Sequence, residues 1–122
     1  MMENWERQVA RILGVPITHI EKRYYGNIQG NALHVNEETM LTFYDYLRDG
    51  LHFPFAATYT NHPVTCIKLE SELSLDADLG IRMECETKHE KQLILLTALT
   101  LDEADANASL VSLYQAWMQK YG

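Results

Sequence analysis

Apolar positions change their spacing along the chain, and each change marks an element. From Glu3 to Leu13 they recur as Trp5, Val9, Ile12 and Leu13, the i, i+4, i+7, i+8 spacing of a helix with one buried face. Gly14 and Pro16 stop it. Ile17–Arg23 reads as a short helical turn, and Tyr25–Asn31 as a loop rich in turn residues. Asn36 then offers an N-cap, and Glu37 and Glu38 suit the positive end of a helix dipole. Met40, Phe43, Tyr44 and Leu47 supply the second helical stripe. Asp49-Gly50 closes it, with Gly50 suited to the left-handed position beyond a helix end.

After Pro54 the period shortens to two. Phe55–Tyr59 reads as a strand entered past a proline, and Asn61-His62-Pro63 as a turn. Val64–Leu69 is a second strand, with Val64, Cys66, Ile67 and Leu69 as its apolar positions, and Glu70–Leu79 an acidic loop. Ile81–Thr87 alternates cleanly, with Ile81, Met83 and Cys85 on one face and Arg82, Glu84 and Glu86 on the other. Lys88–Lys91 turns the chain into a return strand, Gln92–Leu96, and Leu99–Leu101 extends it or forms a fifth. A last helix spans about Asp105–Lys120, with Leu110, Leu113, Tyr114, Trp117 and Tyr121 along one face and Asp102, Glu103 and Asp105 at or before its start. The order predicts an α+β fold, a small antiparallel sheet curled into a partial barrel, with N-terminal helices and a C-terminal helix. Phe55, Ile67, Leu69, Met83 and Cys85 should share its buried face, near Tyr114 and Trp117.

Length and composition agree with one domain over residues 1–122: 47% of residues are hydrophobic and 22% charged. No apolar run approaches the roughly 20 residues of a membrane span, and Met1–Leu13 is amphipathic and charged rather than a signal peptide. Asp and Glu outnumber Lys and Arg by 17 to 10, a net charge of −7. That balance argues against nucleic acid, which demands clustered basic residues, and leaves cations, basic protein surfaces or nothing charged as partners. Cys66 and Cys85 lie in apolar strands, without metal-binding spacing; they read as buried free thiols in a cytoplasmic protein, open to a disulfide only where the two strands pair. No nucleophile set, phosphate-cradling glycine loop or zinc-protease motif is present, so the reading is not an enzyme.

Three acidic groups are the candidate chemistry. Glu70, Glu72, Asp76 and Asp78 fall in a loop free of basic residues, and flexible carboxylates in such a loop suit Ca²⁺. The spacing is not that of an EF-hand. Asp49 stands at a helix C-terminus, against the dipole, and Asp102, Glu103 and Asp105 stand where a dipole favours acids.

The run Tyr44-Asp45-Tyr46-Leu47-Arg48-Asp49-Gly50-Leu51-His52-Phe53-Pro54-Phe55-Ala56-Ala57 resembles the signature of the cyanobacterial calcium-binding (CcbP-like) proteins: an aromatic-rich helix ending in paired acids, then Leu-x-Phe-Pro-Phe and a small residue. A strand, an acidic loop, two strands and a Trp-bearing helix follow in the same order, so the resemblance covers roughly residues 36–122 and leaves 1–35 as an N-terminal helical extension. It implies a small acidic non-EF-hand protein that binds Ca²⁺ as a weak buffer or regulator, with Asp49, Glu72, Asp76 and Asp78 as metal ligands. Arg48 occupies the place of the family's first acid, which implies weak affinity, around 10⁻⁴ M or poorer. The alternative is a protein-interaction domain of the same fold that has lost the metal.

Overall fold

The computed structural model describes residues 3–16 and 31–122, so the expected turn over 17–23 and most of the expected loop over 25–31 lie outside the described residues. Helix α1 (Asn4–Leu13) starts from Glu3, whose backbone N–H donates to Glu6 Oε1 at 3.0 Å, and ends at Gly14 with φ of 73°. It buries Val9, Ala10 and, unexpectedly, Glu6, while Trp5, Ile12 and Leu13 are half-buried.

Helix α2 (Glu37–Gly50) is capped by Asn36, whose side chain accepts the Thr39 N–H at 2.9 Å while Thr39 Oγ1 accepts the Asn36 N–H at 2.9 Å. All four residues of the expected stripe, Met40, Phe43, Tyr44 and Leu47, are buried. Gly50 is the last helical residue and does not take the left-handed conformation expected of it; the cap is Leu51, with φ of −80°. A Cβ on Gly50 would come within 2.9 Å of the end of the Leu110 side chain, so contact with that side chain is what favours glycine there.

The strands β1 (Phe55–Tyr59), β2 (His62–Leu69), β3 (Arg82–Glu86) and β4 (Lys91–Leu95) form an antiparallel meander. The sheet is antiparallel as expected and is not closed, with β1 and β4 as opposite edges. The expected fifth strand is a short 3₁₀ turn (Leu96–Ala98) and a single bridge between Thr58 and Thr100. The first turn is Thr60-Asn61, with φ of 48° and 67°, so β2 begins at His62 and runs through Pro63. Proline is tolerated because Thr58, opposite it, turns its own N–H and C=O outward to Thr100 and asks nothing of the Pro63 nitrogen. A register shift between Cys66 and Lys68 brings both Cys66 and Leu69 to the inner face and leaves Ile67 half-buried rather than in the core.

Helix α3 (Ala108–Tyr121) starts three residues later than Asp105. The reason lies in the acids before it. Asp102 Oδ1 accepts the Ala104 N–H at 2.9 Å and Asp105 Oδ1 accepts the Asn107 N–H at 2.7 Å, so both carboxylates close turns instead of opening the helix. Val111, Tyr114 and Trp117 are buried, and Leu110, Leu113 and Tyr121 are half-buried. The Trp117 ring stacks on Phe43 at 4.7 Å between centroids and donates its N–H to Leu33 O at 2.7 Å. Phe55, Leu69, Met83 and Cys85 close the core from the sheet. Among the described residues, no helix is long and apolar enough to cross a membrane.

Candidate functional site

The acidic residues divide by their surroundings. Glu70, at the end of β2, is buried: its side chain is 2% exposed and pairs with Arg82. Tyr44 donates its hydroxyl to the Glu70 carbonyl, which pins α2 to this end of the sheet. Glu70 Oε1 is buried without a hydrogen-bond partner among the described residues.

Beyond it the chain enters a 3₁₀ turn, Glu72–Ser74, whose backbone is held by Ser71 Oγ accepting from Leu73 N. Asp76 Oδ1 then accepts the N–H groups of Asp78 (2.8 Å) and Leu79 (3.2 Å), and the Gly80 N–H closes onto Asp76 O at 2.8 Å. One oxygen of Asp76 therefore builds the loop. Gly80 ends it with φ of 91°, and a Cβ there would sit 2.7 Å from the Tyr114 hydroxyl. That hydroxyl accepts the Ile81 N–H at 2.8 Å, and burial pushes its pKa up to about 12.

This loop faces the first turns of α2 across a groove of about 710 Å³. Val35, Met40, Leu41, Leu75 and Ala77 give it apolar walls, and Glu37, Glu72, Asp76 and Asp78 give it four carboxylates. No Lys, Arg or His lines it among the described residues. Large apolar side chains stand exposed on the same two elements: Leu41 on α2, and Leu79 and the 95% exposed Leu73 on the loop.

Three of the four expected metal ligands, Glu72, Asp76 and Asp78, thus share one groove. Asp49 lines another, of about 580 Å³, with Gln8, Tyr46, Gly50, Ser109, Leu110 and Leu113. Arg48 stands between the two. Its guanidinium lies 3.3 Å from Asp45, 3.7 Å from Asp49 and 3.6 Å from Glu72, about half exposed. Among the described residues, no three His, Cys, Asp or Glu side chains are grouped so that they could hold a metal ion. The described residues do not form a Ca²⁺ cage, which needs six to eight oxygens converging at about 2.3–2.6 Å.

Sequence reasoning passed over Glu37 as a dipole residue and did not foresee a wall of α2 facing the loop. The alternation of Leu73, Leu75 and Ala77 with the polar Glu72, Ser74, Asp76 and Asp78 was the available signal. It also passed over Asn107. That buried side chain accepts the His52 N–H at 2.8 Å and donates to the His52 carbonyl at 3.1 Å, locking the exit of α2 to the start of α3.

Compared with known protein families, curated proteins and solved structures, the chain matches none. The functional reading therefore rests on the groove itself.

Proposed function

We propose that the protein is a small interaction domain whose groove between α2 and the β2–β3 connection takes a short basic segment of a partner protein, one apolar side chain on the walls and Lys or Arg on the rim. One observation carries this reading: four carboxylates surround an apolar groove that no basic residue lines among the described residues. A net charge of −7 adds a field that favours a cationic partner, and it acts over distances that salt screens. Exposed Leu73 and Leu79 extend the apolar area beside the rim. Grooves of this kind commonly recognise an amphipathic segment through a few apolar anchors.

Calcium binding is the second reading, favoured by Glu72, Asp76 and Asp78 lining one groove. It requires Glu72 to leave Arg48.

Titration calorimetry with a short Leu/Lys peptide, and separately with CaCl₂, tests both. A peptide heat that weakens several-fold in Glu37→Gln/Glu72→Gln, and fades when NaCl is raised well above 0.1 M, is the expected result. A peptide heat indifferent to salt and to both substitutions overturns the interaction reading. A one-to-one Ca²⁺ heat below millimolar, lost in Glu72→Gln or Asp78→Asn, gives the groove to the metal.

A further inference from the structure

Cys66 and Cys85 belong to neither groove. They are opposite each other in the β2–β3 register, both fully buried, with their sulfurs 3.7 Å apart. Directly opposed residues on antiparallel strands have Cβ atoms about 4.5–5.5 Å apart, near the roughly 3.5–4.5 Å that a disulfide needs. The register shift next to Cys66 adds local freedom to close that gap.

We propose that this pair is an oxidation site: a hydroperoxide converts Cys66 and Cys85 into a cross-strand disulfide within one chain.

Cys85 Sγ donates toward Cys66 Sγ at 3.7 Å, so the two thiols are in contact and either can be oxidised first while the other stands ready to resolve it. The cysteine oxidised first is the attacking sulfur. Its thiolate attacks a peroxide oxygen; an S–O bond forms, the O–O bond breaks, and the departing oxyanion takes a proton and leaves as an alcohol, or as water from hydrogen peroxide. The second sulfur then attacks the sulfenic sulfur. The S–S bond forms, the S–O bond breaks, and the hydroxide leaves as water with the second thiol's proton. Two thiols and one hydroperoxide give one disulfide, one alcohol and one water, a two-electron oxidation.

Burial sets the rate and the selectivity. Cys85 lies one strand in from the β4 edge and Cys66 one strand in from the β1 edge, so the oxidant reaches the pair through local opening of an edge. A neighbouring thiol already in contact captures the sulfenic acid before a second peroxide arrives. The product is a disulfide rather than a sulfinic acid or an intermolecular dimer.

Intact-mass measurement on the native chain after exposure to hydrogen peroxide reads the outcome directly. The expected product is a monomer lighter by two hydrogens, with a Cys66–Cys85 cross-linked peptide in the non-reduced digest. Its Tm should rise by about 5–15 °C and return on reduction. In Cys66→Ala and in Cys85→Ala the captured species should be a sulfenic acid on the remaining cysteine, trapped by dimedone. Addition of two or three oxygens per cysteine in the wild type, a disulfide-linked dimer, or two intact thiols in native protein under conditions that oxidise the urea-unfolded chain would each sink the proposal. These wild-type readouts stand even where an alanine variant fails to fold.

Discussion

Trp117 is the largest fully buried side chain, and its replacement by alanine removes both the stack on Phe43 and the hydrogen bond to Leu33. The expected cost is about 3–5 kcal/mol, read as a shift in the urea midpoint. Gly80 makes a subtler case. Gly80→Ala puts a side chain on a backbone with φ of 91° and drives a Cβ toward the Tyr114 hydroxyl. Backbone strain of this kind costs about 1–3 kcal/mol. Tyr114→Phe alone leaves the buried Ile81 N–H without its acceptor, at a similar cost of about 1–3 kcal/mol. Combined, the two should cost less than their sum, because the phenylalanine removes the oxygen that the new methyl group meets; denaturation of the four proteins measures the difference. Trp117 was legible from helical spacing alone. Gly80 was not, since its requirement comes from a tyrosine on a distant helix that folding brings beneath the loop.

Among the elements, α1 depends on a buried acid. Glu6 accepts hydrogen bonds from the Tyr121 hydroxyl and from Lys120 at 3.0 Å, with its side chain 3% exposed. Burial by itself would raise its pKa, but the hydrogen bonds from Tyr121, the Glu3 backbone and Lys120, with the charge of Lys120, outweigh it and hold the carboxyl below its usual 4.5. A depressed folded-state pKa contributes stability that is complete above about pH 4.5 and lost as the pH falls through the folded value. Glu6→Gln should therefore lower the Tm at pH 7 and narrow the gap to wild type on acidification below pH 4.5; melting curves from pH 7 to about pH 3 check it. The periodicity of α1 showed the helix but put Trp5, rather than Glu6, on its buried face, because an acid reads as solvent-facing until a lysine and a tyrosine from the other end of the chain meet it. The strands were legible for the opposite reason: alternation is local. The bulge beside Cys66 is the exception. Cys66 and Ile67 side by side among apolar positions signalled it, and only the register with β3 shows which of them turns inward.

For the whole molecule, one cation ties up part of the acidic excess. Arg48 holds three carboxylates from two elements, so removing its charge frees Glu72 toward the groove. Arg48→Gln should strengthen binding of a basic peptide by several-fold at low ionic strength, with the gain shrinking as salt rises; calorimetry at two NaCl concentrations checks it. The acids themselves were plain in the sequence. Their partition between two grooves was not, because it depends on where the β2–β3 connection returns relative to the end of α2. One further consequence comes from the meeting of α1 with the end of α3, where the Trp5 and Tyr121 rings lie 6.4 Å apart. A chain tethered by its two ends in an optical trap is loaded at that contact, which opens like a zipper, one turn at a time. The sheet, with no strand reaching either tether, stays unloaded until α1 has peeled away. The force trace should show a low-force release of α1 followed by a single larger rip.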